Sequence, residues 1–366
     1  MLSFISNTQT KIIANKVINN ERISPDDALF LFEKMPLHIV AYLADIVNVR
    51  INQQNVWFNR NFHLEPTNIC IHNCKFCSYS RKKNQDGAWE HSIKEMLEIA
   101  APYKGSLVTE VHIVGGVHPE RNIDFYGELI YEIKKLLPGI HVKAFTAVEL
   151  DHMIKKSGLS VFQGLKKLKE YGLDSIPGGG AEIFNSEIRK QICHEKSNAD
   201  TWLNIHRQAH LNGIPSNATI LYGHIENYAH RVEHLGKLRE LQDYTHGFNA
   251  FIPLKYKNRN NLLSHIKEAV ISEDLRNYAV SRIFLDNIPH IKAYWPMTGK
   301  EMAQLALEYG VDDLDGTIDD STKIYSMAGS VEQKPEMTAG EMIELIKNAG
   351  KVPVERDSLY NIIRKY

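Results

Sequence analysis

Short apolar runs recur along this chain, each closed by glycine, proline or small polar residues and each followed by an amphipathic stretch. From residue 57 the runs are WFNRNFHLEPT (57–67), TEVHIVGG (109–116), HVKAFTA (141–147), LDSIPGGG (173–180), SNATILYG (216–223), GFNAFIPL (247–254), HIKAYWP (290–296) and VDDLDGT (311–317). Between them, stretches such as NIDFYGELIYEIKKLLPG, SVFQGLKKLKEYG and HRVEHLGKLRELQDYTHG carry helical periodicity. Each closes on glycine after a charged last turn, a usual helix stop. Repeated strand–helix alternation predicts an α/β fold with a parallel sheet. Eight such units predict closure into a (β/α)8 TIM-type barrel.

The flanks read as helical. Residues 1–55 form a cap, with Ser24 as an N-cap and Pro25 as the first helical residue of SPDDALFLFEKM, followed by the amphipathic LHIVAYLADIVNVRINQ. The barrel is assigned to residues 56–330. Residues 331–366 read as a helical extension: one helix in TAGEMIELIKNAG and a short final helix in KVPVERDSLYNIIRKY, folding back over the barrel.

Composition adds mainly exclusions. The 366 residues are 43% hydrophobic and 24% charged, which is ordinary globular material with enough for a sizeable core. With 43 basic and 44 acidic residues the net charge is −1, so no polyanion-binding face is announced and no nucleic-acid partner is expected. The N-terminus lacks a basic region followed by an apolar core. The most apolar early stretch is broken by Glu33, Lys34, Pro36 and His38, short of the ~20 apolar residues of a membrane span. A cytoplasmic location without membrane attachment is expected. There, clustered cysteines bind metal or do chemistry more often than they form disulfides.

The stretch HLEPTNICIHNCKFCSYSR holds three of the four cysteines, Cys70, Cys74 and Cys77, spaced Cys-x3-Cys-x2-Cys. It follows the first strand, and loops after barrel strands build the mouth where active sites lie. Structural zinc needs four protein ligands. Cys193 lies 116 positions beyond Cys77, but His63 and His72 are local alternatives, so zinc stays open. Three thiolates on a 4Fe-4S cube instead leave one iron free to take a chelator. S-adenosyl-L-methionine (SAM), through its amino and carboxylate groups, is one molecule that fits.

CIHNCKFC resembles the signature of the radical SAM superfamily, whose fold is a full or partial α/β barrel. The resemblance implies that Phe76 and the backbone near Tyr79 flank the adenine of SAM. It also implies that Gly115 and Gly116, after the second strand, meet the methionine amino group through backbone carbonyls. The run Gly178, Gly179 and Gly180 exposes N–H groups that suit an anion, either a carboxylate of SAM or one of a substrate. Glu149 and Glu182 are candidates for ribose hydroxyls or the SAM ammonium. Tyr222, with His224 and Glu226, lies past the fifth strand. Arg282, Asp286, Asn287, His290 and Lys292 surround the seventh, and Asp313, Asp315 and Thr317 sit at the eighth. Basic residues at a barrel mouth would suit an acidic substrate. His63 and His118 flank the cysteine loop and the Gly-Gly loop, and Cys193 reads as a buried thiol. From this set the catalytic candidates are His63, His118, Arg282, Asp286, His290 and Asp315.

A denser resemblance runs from about residue 55 to 330. HLEPTNIC, HIVGGVHP, KAFTAVE, GLDSIPGGGAEIF, SNATILYGHIE and GFNAFIPL are together similar to the radical SAM enzymes of the futalosine route to menaquinone. KAFTAVE and QICHEK resemble its aminofutalosine synthase branch. In HLEPTN, Glu65 stands before Pro66 where the family more usually has asparagine. The resemblance implies that the adenosyl radical of SAM adds to the vinyl ether of 3-[(1-carboxyvinyl)oxy]benzoate. Rearrangement and loss of a carboxylate as bicarbonate then give 6-amino-6-deoxyfutalosine. SAM is consumed as co-substrate, and an external electron donor such as flavodoxin or ferredoxin is implied. The two carboxylates of this aryl vinyl ether are expected on Arg282, His290 or the glycine-loop amides. The alternatives are a hydrogen-abstracting cyclase of the cyclic dehypoxanthine futalosine synthase branch, or a non-catalytic zinc or iron–sulfur protein.

Overall fold

In a computed structural model, which describes residues 7–318, 323–330 and 335–366, the recurring apolar runs pair side by side in parallel. β1 (Asn55–Asn59) and β2 (Asn61–Leu64) are two halves of the first run, interrupted at Arg60. β2 pairs with β3 (Glu110–Ile113), and β3 with β4 (His141–Ala144). The fourth run contributes two bridging residues, Ser175 opposite Lys143 and Ile176 opposite Ser216. β5 (Ser216–Tyr222), β6 (Phe248–Lys255) and β7 (His290–Ile291) follow. Lys292 bridges to Asp313, and β8 (Asp313–Gly316) returns to β1. The ring is closed and parallel, the (β/α)8 barrel that the alternation predicts. The fourth run is short because Pro177 has no N–H, and Gly178 and Gly180 take positive φ of 89° and 87°.

Helices wrap this ring, several of them started by capping boxes: Ser92 with Glu95, Thr146 with Glu149, and Ser160 with Gln163. Residues before β1 form helices Thr8–Ile18, Pro25–Glu33 and Leu37–Asn52, the second capped by Ser24 with Pro25 at its first turn. Leu37–Asn52 packs along the barrel helix Ile271–Phe284, and Arg276 of that helix donates to the carbonyls of Leu31 and Met35 at 2.7 and 2.8 Å. Among the described residues no helix is long and apolar enough to cross a membrane.

The C-terminal extension corrects one expectation. TAGEMIELIKNAG gives the helix Ala339–Asn348, but the final segment is a hairpin, not a helix. β9 (Val352–Arg356) adds in parallel to β1, and β10 (Ile362–Lys365) returns antiparallel to β9. Alternating Val352, Val354 and Arg356 around Pro353 suits a strand. The turn is fixed by Asp357, whose carboxylate accepts from the amides of Leu359 and Asn361. The hairpin tip closes the lower end of the barrel. Tyr360 stacks on His290 with ring centroids 3.7 Å apart, and the Arg356 guanidinium lies 4.1 Å above the same ring.

Above that plug the barrel interior carries charge. Glu110 meets Lys143 at 2.6 Å, and Lys292 pairs with Asp315 and lies 3.7 Å from Asp313. Arg356 reaches Asp313 at 2.7 Å. Burial alone would raise the Asp315 carboxyl, but Lys292 and Lys143 override it and hold it at about 2. Breaking a buried pair by removing one partner costs far more than an exposed pair is worth. Arg356→Met is therefore expected to lower the unfolding free energy by about 3–5 kcal/mol in urea titrations, because Asp313 keeps only the more distant Lys292. A loss under about 1 kcal/mol would mean that Asp313 is compensated elsewhere.

Candidate active site at the barrel mouth

The cysteine loop leaves β2 at Leu64 and is tied down by the Asn68 side chain and by its own backbone. Asn68 donates to the Gly87 carbonyl at 2.9 Å and accepts from the Trp89 amide at 2.8 Å. The Cys70 amide donates to Arg81, and Arg81 back to Asn68, both at 2.9 Å. Neighbouring mouth loops pin it from the far side: Lys75 donates to the Ile192 carbonyl and accepts from Leu262, both at 2.8 Å. Cys70, Cys74 and Cys77 are free thiols, each half-buried, and Cys77 Sγ accepts from the Ser80 amide at 3.4 Å. Among the described residues no three His, Cys, Asp or Glu side chains converge on a single metal ion. Cys193 is buried at the end of helix Ser186–Cys193.

The Gly-Gly turn after β3 lies directly on this loop. A side chain at Gly115 would place Cβ 2.8 Å from the Thr67 carbonyl oxygen, and at Gly116 2.3 Å from that of Ile69. The Gly116 amide donates to Thr67 at 2.7 Å, and the Tyr79 hydroxyl donates to the same carbonyl at 3.1 Å. Glu149 locks the turn: its carboxylate accepts from the Gly115 amide at 3.1 Å and from the amide and hydroxyl of Thr146 at 2.8 and 2.7 Å. Burial raises its carboxyl to about 7 against those hydrogen bonds. Glu65 has a similar position: burial raises it to about 7 while it accepts from the Lys323 and Ile324 amides.

The triple glycine forms the facing wall. Cβ atoms would meet the Asn217 carbonyl oxygen at 2.2 Å from Gly178, Thr146 at 2.8 Å from Gly179 and Val148 at 2.6 Å from Gly180. Thr219 donates to the Gly178 carbonyl at 2.8 Å, and the Trp202 indole donates to that of Gly179 at 3.2 Å. Glu182 is ion-paired to Lys196, whose ammonium lies 5.2 Å above the Phe76 ring. Lys196 also feels Cys74 and Cys193, which with Glu182 raise it despite burial. Between these walls is a cavity of about 150 Å³. His112, Lys143, Asn217, Thr219 and Asp315 contribute its polar lining, and Tyr294 and Tyr325 its phenol rings. His63 sits beside His112 with ring centroids 4.5 Å apart, and burial depresses it to about 4.

Four expected site residues lie elsewhere. Arg282 ends the helix before β7 and is consumed by Asp312 and by the carbonyls of Gly310 and Pro289 at 2.9 and 3.1 Å. Asp286 is exposed and paired to Arg22 at 2.8 Å. His290 starts β7, 2.5 Å from Asp312 and under Tyr360, so it belongs to the lower plug. Tyr222 points into the helical layer, where its hydroxyl donates to Asp274 at 2.8 Å. His118, although on the Gly-Gly loop, organises that loop: Nδ1 accepts from the Glu120 and Arg121 amides, and Nε2 lies 3.0 Å from Glu90. The sequence reading passed over His112, Lys143, Lys196 and Tyr325. The first two carried a signal, since polar residues alternate within the apolar runs TEVHIVGG and HVKAFTA, where an all-parallel sheet is normally continuously apolar.

Known proteins resemble this chain in sequence and in fold. The family described as the radical SAM superfamily matches residues 64–238, and the CofH/MqnC C-terminal region matches residues 245–365. An aminodeoxyfutalosine synthase from Thermus thermophilus is 42% identical, covering 96% of this chain and 95% of its own. A cyclic dehypoxanthine futalosine synthase from Streptomyces coelicolor is 36% identical, covering 95% of this chain and 87% of its own. The crystal structure of methylornithine synthase (PylB) shares the fold, with a TM-score of 0.72 at 16% identity over 92% of this chain and 95% of that one.

The raised Glu149 carboxyl has a measurable consequence. Its unfolded value is near 4.5 and its folded value about 7, so the folded state holds the proton more tightly between them. Wild-type stability should therefore fall relative to Glu149→Gln as pH rises through that window and run parallel above it, by roughly 3 kcal/mol at most. Glutamine keeps the capping box, so parallel curves throughout would refute the assignment.

Proposed function

The chain belongs to the radical SAM superfamily, and from that membership we propose that it carries out the aminodeoxyfutalosine synthase reaction. SAM, 3-[(1-carboxyvinyl)oxy]benzoate and water give 6-amino-6-deoxyfutalosine, methionine, bicarbonate and a proton. The observation that carries this reading is the near-full-length relationship at 42% identity, against 36% for the relative named as the cyclic dehypoxanthine enzyme.

On this reading Cys70, Cys74 and Cys77 would hold a 4Fe-4S cluster, which when bound would supply the electron for reductive cleavage of SAM. The protein's part is to bind, orient and exclude water. Gly115 and Gly116 would meet the methionine end through their backbone, and Phe76 and the backbone near Tyr79 would flank the adenine. Gly178, Gly179 and Gly180 shape the opposite wall. Glu149 and Glu182 act by holding the Gly-Gly turn and Lys196, since both carboxylates are already engaged. Tyr294, Ile324 and Tyr325 line the cavity and add bulk at a site that radical chemistry needs kept dry. An external one-electron donor such as flavodoxin or ferredoxin completes the partners, and a cytoplasmic setting is consistent with free thiols.

The runner-up, hydrogen abstraction by a cyclase, differs in its product. Mass spectrometry of an anaerobic reaction with reconstituted protein, reductant, SAM and the vinyl ether should find an adenosylated product with little free 5′-deoxyadenosine. Stoichiometric 5′-deoxyadenosine without the adduct would refute the reading. A second outcome follows from the packing of the Gly-Gly turn. Gly116→Ala forces Cβ toward the Ile69 carbonyl oxygen at 2.3 Å, so the cysteine loop must shift. Iron and sulfide per chain after reconstitution should drop well below wild type while the circular dichroism spectrum is kept.

A further inference from the structure

The charges inside the barrel balance among themselves. Lys143, Lys292 and Arg356 face Glu110, Asp313 and Asp315, three cations against three anions. Each cation already has a carboxylate partner: Lys143 meets Glu110 at 2.6 Å, Lys292 lies between the two aspartates, and Arg356 holds Asp313. The cavity directly above is otherwise walled by uncharged groups, the apolar Val114, Ile252 and Leu254 and the neutral Asn217, Thr219, Tyr294 and Tyr325. The substrate of the proposed reaction brings two carboxylates, and the inference rests on that reading. A carboxylate that enters a site with no charge to spare is unpaired and buried, which is costly.

One group on the floor can supply the missing charge. His112 lines the cavity, and its Nε2 is buried without a hydrogen-bond partner. The charged and titratable groups facing it are His63 on β2, Glu110 on its own strand, Lys143 on β4 and Asp315 on β8. Burial, then His63 and Lys143, hold its pKa well below the usual histidine value, so it is neutral near pH 7 while no anion is present. We infer that one substrate carboxylate seats on the barrel floor against His112 and Lys143, and that His112 binds a proton as the carboxylate arrives. The proton comes from solvent and rests on the imidazole, which then presents N–H groups at both ring nitrogens and donates one to the carboxylate. His112 is thus a binding residue that titrates with occupancy.

Calorimetric titration of the cluster-loaded protein with 3-[(1-carboxyvinyl)oxy]benzoate, without reductant and in buffers of different ionisation enthalpy, tests this. Near neutral pH the wild type should take up close to one proton per ligand, and Kd should weaken about tenfold per pH unit above neutrality. His112→Gln should bind with neither proton uptake nor that pH dependence. Binding of the vinyl ether to wild type with no net proton uptake overturns the inference and leaves the proposed reaction standing. Uptake that persists in His112→Gln overturns it too, and failure of the vinyl ether to bind at all overturns both. Absence of uptake in the wild type overturns the inference even if the variant does not fold, and His112→Asn, the smaller neutral replacement, serves as the second variant that must lose the uptake.

Discussion

Six charges buried inside one barrel must cancel, and the rest of the molecule is arranged around that requirement. Three carboxylates project inward from β3 and β8, and two lysines come from β4 and the residue after β7. The third cation, Arg356, comes from outside the eight strands, on the hairpin added to β1. The C-terminal segment is therefore part of the barrel's electrostatics as well as its lower plug. An isolated charge in this environment would cost several kcal/mol, a large share of a domain's net stability. The same array sets the cavity floor, because Asp315 and Lys143 belong to both.

The upper half depends on a different constraint, the close approach of backbones. Gly115 and Gly116 lie on the cysteine loop, Gly178 on β5, and Gly179 and Gly180 on the loop that begins the helix Ala147–Lys156. At each contact a Cβ would come closer than 3 Å to a neighbour. Packed this way, the loops after four different strands fix one another, and the cysteines sit on a surface that several elements define. The functional carboxylates then take indirect parts. Glu149 holds an amide of the Gly-Gly turn, Glu182 holds Lys196 beside the cysteine loop, and Glu65 holds the backbone of Lys323 and Ile324 over the mouth.

The eight strand positions were legible because glycine and proline punctuate them and helices separate them. The cysteine and glycine motifs were legible because spacing and position after a strand coincide. Other features were not legible, for definable reasons. In a barrel, residues before a strand lie at the lower end and residues after it at the mouth. Arg282, Asp286 and His290 precede or begin β7, so closeness to a strand in sequence put them at the wrong end. Tyr222 failed by parity: Thr219 faces the cavity, and Tyr222, three residues on, faces the helices. The hairpin was hidden because the strand pattern of Val352–Arg356 is short and broken by Pro353, and its partner β1 lies far earlier in the chain. His112 and Lys143 were visible as polar residues alternating inside apolar runs, a pattern that in a parallel barrel marks either an ionic core or a ligand.

A neutral histidine is the physically reasonable group to meet a buried carboxylate in such a site. A permanent extra cation on the floor would be uncompensated whenever the cavity is empty, and folding would bear that cost in every molecule. A site with no cation would instead place the whole burden on binding. A group that is neutral in the empty protein and charged in the occupied one avoids both, because the carboxylate itself raises the affinity for the proton. The surroundings of His112 suit that behaviour. Burial, then His63 and Lys143, keep it neutral at rest, while Glu110 and Asp315 are near enough to favour the charged form once an anion tips the balance. Charge neutrality is thereby preserved in both states, which a cavity that must stay closed to water during radical chemistry cannot achieve by admitting counterions.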